Sequence, residues 1–489
     1  MKGRQHLFIV PAALSVVLLG AAAPPKPAPP PEVGVKAMSA GGARRIDAVL
    51  PGKVLATAFP RGADGKRRVL ALVAPTPDGP RELYLVDISG AGSEKRLLGD
   101  LSAKASFLTA EPLNGEHAAD EILLGAPGQA WSLGTVGSPT PPHRILEGAD
   151  LRHLLVSGNR DIATAEVGRL RSWTREGSGA LAPGESAELP VRATRERTAL
   201  RLDTPEVEVL AQDAGAPPIY LVGPEANGKT RLHTLMITRD AEGNPQRTES
   251  WSRFAGPESV EGHWFVRVDG RPMLIVTSTG AEKVSLFEEQ SLRVFPLTAD
   301  RSRAGQPPVL AVPTASRRWF PARPFILDAD KDGHDDLVVV QQEGLRGKAL
   351  IAEIWFGQGN GRFASTSRKV SLGVQAHAWD YGTDVTGDGH PDLVAIEQNK
   401  LLVFPGTTDP KRDLLDHRPR LSLDLPASGP MSVSVGAGSA GTNVESSHAD
   451  SLRMIDLDGD GRAEIVVTVR DTVREGNGRG RVTVVRVGG

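Results

Sequence analysis

The sequence predicts an all-β chain, specifically a β-propeller of four-stranded blades, with eight blades favoured and seven as the alternative. Three observations lead there. The chain carries 54 Gly and 38 Pro in 489 residues, so long amphipathic helices have nowhere to run. Short runs of β-branched and aliphatic residues recur instead: VLALVAP from Val69, ILLGAP from Ile122, IATAEVG from Ile162, IYLVGP from Ile219, MLIVTS from Met273, LVVVQQ from Leu337, LVAIEQ from Leu393 and IVVTVR from Ile465. Their starts are spaced by about 40 to 72 residues, which suits a four-stranded blade of roughly 40 to 50 residues plus loops. Solenoids and tandem sandwiches are the competing repeat architectures.

The chain begins with Lys2 and Arg4 ahead of an apolar run from Leu7 to Leu19 that ends in Gly20, Ala21, Ala22 and Ala23. This is the pattern of a signal peptide, residues 1–22, cleaved after Ala22. It predicts export to the periplasm, the cell surface or the medium, with no membrane span after cleavage and a retained anchor as the alternative. There is no cysteine, hence no lipid-modified cysteine and no disulfide framework. Residues 23–43 are rich in Pro and Ala without an apolar period and read as an extended, disordered tether. The propeller is placed at residues 44–489. With 57 basic and 59 acidic side chains the net charge is −2, which gives no basis for a nucleic-acid partner.

Each apolar run is preceded by a strand and a polar Gly/Asp hairpin and followed by a third strand and usually a fourth. Near-continuous hydrophobicity of the second strand implies burial on both faces. The last unit runs out after VTVVRVG from Val482, while RRIDAVLPGKVLATAF at Arg44 has the form of a unit boundary. The strand near Ile46 is therefore expected to supply the missing outer strand and to cover an exposed edge. The third and fourth units are irregular.

Three hairpins share one pattern. DADKDGHDD places Asp328, Asp330 and Asp332 at positions 1, 3 and 5, His334 at 7 and Asp336 at 9. DVTGDGHPD places Asp384, Thr386, Asp388, His390 and Asp392 at the same positions, and DLDGDGRAE places Asp456, Asp458, Asp460, Arg462 and Glu464. Oxygens on alternate residues of a tight loop converge on one point, as a hard cation such as Ca2+ requires. His334, His390 and Arg462 would ligate through their backbone carbonyls, and Gly333, Gly389 and Gly461 permit the sharp turn. An EF-hand needs a Glu at position 12, where this chain has Val339, Ala395 and Val467. About three calcium sites are expected. The second loop, with one carboxylate fewer, is expected to be the weakest. RGADGKRR at Arg61, LNGEHAADE at Leu113 and VDGRP at Val268 have the shape of loops that lost their acids, and no metal is expected there.

These loops, together with WFGQGNGRF from Trp355 and ILLGAP from Ile122, resemble the FG-GAP family, including its VCBS-type repeats and the β-propeller of integrin α subunits. The resemblance is concentrated in residues 320–470. It implies the propeller fold and calcium in the three loops.

Other motifs lead elsewhere only in part. GPEANGKT at 223–230 matches a P-loop, but RLHTLMITRD after it favours a strand over the helix that phosphate binding needs, so no nucleotide is expected. GQGNG at Gly357 lacks a βαβ unit and reads as a turn. No HExxH and no GxSxG occurs, and the seven Trp are assigned to packing rather than sugar stacking. The expected function is a non-catalytic, calcium-binding adhesion or binding scaffold for a protein or glycan ligand. The alternative is a propeller-fold carbohydrate-active enzyme such as a polysaccharide lyase.

Overall fold

The computed structural model describes residues 34–40, 42–88, 93–111, 119–147, 154–156, 162–166, 169–175, 181–188, 192–196, 199–203, 207–209, 219–222, 231–239, 245–253, 258–280, 289–297, 307–317, 322–343, 349–376, 378–407, 414–425, 451–469 and 480–488. The chain divides into two compact units, Met1–Glu32 and Val33–Gly489. The expected leader and the start of the tether lie outside the described residues, all of which belong to the second unit.

All regular structure among the described residues is β. Strands β3–β6 (53–101), β7–β10 (107–147), β11–β14 (154–188), β17–β20 (207–253), β21–β24 (258–317), β25–β28 (323–371) and β29–β32 (378–424) form seven antiparallel sheets of four strands each, every one built from consecutive strands. A two-stranded hairpin, β15–β16 (192–203), stands between the third and fourth of these, in the region that the sequence marks as irregular. No helix of the described residues is long and apolar enough to cross a membrane.

The second strands β26 and β4 show why the sheets stack as propeller blades. In β26 (Asp336–Glu343), Val338 and Val340 join a core shared with the sheet that follows, through Leu393, Ala395 and Phe404. Leu337 and Val339, pointing the other way, join a core shared with the preceding sheet, through Met273, Ile275 and Val294. The same division occurs in β4 (Val69–Ala74), where Leu70 and Leu72 meet the β7–β10 sheet and Val69, Ala71 and Val73 meet the last sheet. Period-2 alternation thus serves two interfaces at once, and all of β4 and the run Leu337–Val340 of β26 are apolar because both faces are covered. Each such buried Val or Leu contributes about 1.5–3 kcal/mol.

The last sheet is composite. β33 (Ser451–Ile455), β34 (Glu464–Val469) and β35 (Arg481–Val487) are completed by β2 (Ala43–Val49), with Ile46 opposite Val484, as the sequence predicts. Its two faces pack on the β29–β32 sheet and on the β3–β6 sheet, so the end of the chain and its beginning share a core. A buried network locks this junction. Arg45 and Asp47 form an ion pair at 2.7 Å, Thr483 donates to Asp47 at 2.7 Å, and Arg45 Nη1 reaches the Asp424 carbonyl of the neighbouring sheet at 2.5 Å.

One boundary is corrected. Residues 34–40, expected to belong to a disordered tether, form β1 (Gly34–Ala40), which pairs with β2 as a fifth strand. Ladder hydrogen bonds need backbone groups and not an apolar period, so an outermost strand leaves little trace in composition.

Candidate metal centre

The three DxDxDG-type loops join the first and second strands of successive sheets: β25 (Arg323–Leu327) to β26, β29 (Ala378–Thr383) to β30 (Asp392–Glu397), and β33 to β34. In the first, carboxylate oxygens of Asp328, Asp330 and Asp332 lie within 4.8 Å of one another. The Asp328 carboxylate accepts from Asp332 N at 3.1 Å and Gly333 N at 3.0 Å, and Asp332 accepts from His334 N at 2.8 Å. These bonds curl the backbone around the acids. Gly333, Gly389 and Gly461 hold φ of 91°, 82° and 86° at the turn, a left-handed conformation that glycine adopts without strain. In the second loop Asp384 accepts from Gly387 N and Gly389 N at 2.6 and 2.7 Å, and Asp388 accepts from His390 N at 2.9 Å. In the third, oxygens of Asp456, Asp458 and Glu464 lie within 4.8 Å of one another. Asp456 accepts from Gly459 N and Gly461 N, and Asp460 from Arg462 N.

The acid at position 9 has a second task that its spacing does not reveal. Asp336 is fully buried, and its two oxygens accept from Ala329 N at 2.9 Å and from Gly357 N at 2.6 Å. Asp392, also fully buried, accepts from Val385 N, Thr386 N and Gly406 N. Both carboxylates tie the loop to the strand end behind it. A Cβ on Gly357 would lie 2.5 Å from the Asp335 carbonyl oxygen, and one on Gly406 would lie 2.7 Å from that of Pro391, so the close approach needs glycine.

Electrostatics follow burial. Burial pushes Asp336 up to about 6, opposed by the hydrogen bonds from Gly357 and Ala329. Asp392 and Glu464 are raised, again mainly by burial. Asp330 is raised by burial and by the charge of Asp332 beside it. A loop that strains its acids in this way gains from a bound divalent cation, which neutralises them together. The fit is supported by Thr386 Oγ1, buried in the second loop without a hydrogen-bond partner. It is an acceptor at the position where a loop ligand is expected. The residues therefore fit a hard cation: carboxylate and hydroxyl oxygens on alternate residues, and glycine at the turn.

Neighbouring hairpins are stapled to one another. Asp269 N donates to Asp335 at 2.6 Å, Asp335 N donates back to Asp269 at 3.0 Å, and Gly361 N reaches Asp269 at 2.9 Å. Ala463 N donates to the Asp384 carbonyl and Arg67 N to the Leu457 carbonyl. Arg61 N donates to Asp120 and Asp120 N to the Arg61 carbonyl, both at 2.8 Å. The loops at Arg61 and Val268, expected to bind no metal, thus have a role as clamps between sheets. Asp269 and Asp335 escaped the sequence pattern because neither occupies an alternate-oxygen position.

The His334 side chain is exposed, with its ring beside Gly359 and its Nδ1 3.8 Å from Asp269. At His390, Nδ1 is buried and lacks a hydrogen-bond partner. GQGNG at 357 forms the expected turn, closed by Gln358 N on the Arg362 carbonyl. Residues 231–239 are strand β19, not a helix, while GPEANGKT itself lies outside the described residues. Trp173 and Trp355 are buried, as packing residues should be.

The third loop is also contacted from a distant strand end. Arg486, near the end of β35, ion-pairs with Asp458 and Asp460 and lies 3.5 Å from Glu464. Hydrogen bonding to Asp458 raises the Arg486 pKa, and Asp460 is lowered, first by the Arg462 N–H and then by the Arg486 charge.

Residues 328–395 match the FG-GAP-like repeat family, so the chain carries such a repeat over its first two acidic loops. Comparison with curated protein sequences gives no match. Among solved structures, the chain is similar to the WD40 domain of SCAP from fission yeast, with 9% identity, 90% of this chain and 97% of that one covered, and a TM-score of 0.48. It is similar to the extracellular domains 1–2 of Drosophila semaphorin 1b, with 11% identity, 72% and 86% covered, and a TM-score of 0.37. A protein from Lactobacillus plantarum shares 13% identity over 71% of this chain and 92% of its own, with a TM-score of 0.36.

Proposed function

We propose that this chain is an exported, calcium-stabilised propeller that acts as a binding scaffold for a protein or glycan outside the cytoplasm. A β-propeller-like repeat fold that carries an FG-GAP-like repeat at 328–395 suggests a binding scaffold, because its rigid sheets present loops whose sequence is free to vary. Taking each sheet of four or more strands as one blade, with eight in all, belongs to this reading. The observation that carries the metal assignment is the convergence of Asp328, Asp330 and Asp332, held there by backbone hydrogen bonds from their own loop. Calcium is assigned to the loops at 328–336, 384–392 and 456–464. Its role is structural: it cancels carboxylate repulsion in hairpins that are stapled to their neighbours, and so stiffens the face that would meet a ligand.

Isothermal titration of chelator-treated protein tests the metal. Saturable calcium binding with a rise in melting temperature, not reproduced by magnesium at equal concentration, is expected. No heat and no shift would refute it. A glycan array and a screen of cell-surface proteins, each run with and without calcium, test the scaffold. Binding that depends on calcium supports it, and silence in both formats removes its basis.

A further inference from the structure

The three acidic loops are alike in sequence, yet the strand end behind the third is built differently. In register, Leu337 lies opposite Trp355, Leu393 opposite Phe404 and Ile465 opposite Val485. The next residues are therefore equivalent: Phe356, Pro405 and Arg486. After them come Gly357, Gly406 and Val487. In the first two units the glycine N–H satisfies the acid at position 9, at 2.6 and 2.9 Å, from a distance that leaves no space for a Cβ. In the third unit a valine stands there, and its carbonyl is engaged by the Arg462 side chain at 2.8 Å. Glu464 keeps one backbone donor, Leu457 N at 2.9 Å, and turns its other oxygen to Arg486 at 3.5 Å. The guanidinium then spans Asp458 and Asp460. It thereby touches the acids at positions 3, 5 and 9 of one loop.

We propose that Arg486 is a built-in counter-ion of the third loop and sets its metal affinity, so that calcium must displace a guanidinium there and this loop is the weakest of the three. The inference rests on the calcium reading of the loops. A guanidinium and a divalent cation cannot use the same oxygens, since they repel and since the ion needs six to eight ligands around it. The planar fork bonds two carboxylates at once without the dehydration that a metal ion must undergo. Displacement is sterically feasible: a cavity of about 520 Å³ borders Arg486, Asp458 and Glu464 and reaches Asp64 and Ile88 of the adjacent sheet. This ranking replaces the one from carboxylate count, in which the second loop is weakest.

The test compares wild type, Arg486→Gln and Arg486→Lys as full chains, chelated and then titrated with calcium by calorimetry, with melting temperature followed in parallel. Wild type is expected to take up calcium in two classes, the third ion at least about tenfold more weakly than the first two. In Arg486→Gln the third ion should bind about tenfold more tightly. That variant should melt below wild type in chelator, with calcium closing the gap, a pattern that loss of packing would not produce. Arg486→Lys keeps the charge but loses the fork, and should fall between the two, which preserves the test if the glutamine variant does not fold. Three equivalent ions in wild type, or an isotherm unchanged by both substitutions, would overturn the proposal. Absence of calcium uptake in every variant would instead remove the calcium reading itself and this inference with it.

Discussion

Asp332→Ala in the first loop separates a metal ligand from an ordinary surface acid. Asp332 contributes one carboxylate to the converging trio and accepts one hydrogen bond, from His334 N at 2.8 Å. Without metal the substitution removes that exposed bond, a loss of about 0.5–1.5 kcal/mol, and also relieves the repulsion that raises Asp330. The two effects oppose each other, so the chelated variant should melt close to wild type. With calcium at about one hundred times its dissociation constant, binding stabilises the fold by about 2.7 kcal/mol. If losing one ligand weakens affinity about 30-fold, less than 1 kcal/mol of that remains, a difference of about 2 kcal/mol. With an unfolding entropy near 2.1 cal/mol/K per residue over roughly 450 residues, this corresponds to a shift of about 2 °C. The assay is differential scanning calorimetry of both proteins in chelator and in calcium. An equal loss in the two conditions would refute the reasoning, because Asp332 would then matter for a reason other than the metal.

Other expectations rest on the same geometry. Asp47→Ala strands the buried Arg45 charge and should cost about 3–5 kcal/mol in chemical denaturation, with or without calcium, and it also removes the acceptor by which Thr483 of β35 holds β2. Gly357→Ala forces a Cβ against the Asp335 carbonyl and should lower stability by about 1–3 kcal/mol while weakening calcium uptake at the first loop, read by calorimetry. The pH dependence should invert with calcium. Asp330, Asp336, Asp392 and Glu464 all have folded values raised above their ordinary ones, with Asp336 pushed up to about 6. At these four groups the folded chain binds more protons than the unfolded chain between about pH 4 and 6, so their contribution to stability in chelator falls as pH rises through that window. Calcium binds the ionised loops, so melting in calcium should instead be favoured at about pH 7 over about pH 5.

Much of the fold was legible from short-range pattern. LVVVQQ and IVVTVR announced strands covered on both faces, and the cores on either side of β26 and β34 bear this out. The shortened last unit and the boundary-like segment at Arg44 pointed to the pairing of β2 with β35. Less was legible where pairing depends on backbone alone, as at β1, or where the sequence is irregular, as at β15–β16. In the candidate site, spacing placed Asp328, Asp330 and Asp332 together, but it gave no sign that Asp336 also braces Ala329 and Gly357.

By itself the sequence determined the alternation that makes each second strand a double-faced core element and the alternate-oxygen loops that invite a cation. Both are properties of residues a few positions apart, set by the period of a strand and the curvature of a turn. Only the tertiary structure decided which distant groups share those loops. Asp269 clasps Asp335 across 66 positions, Thr483 supports Asp47 across 436, and Arg486 reaches back to the acids of the third loop. The first depends on how neighbouring sheets pack, and the other two on which distant strands pair within the last sheet, a pairing that sets the charge at one strand end against the oxygens of the adjoining loop.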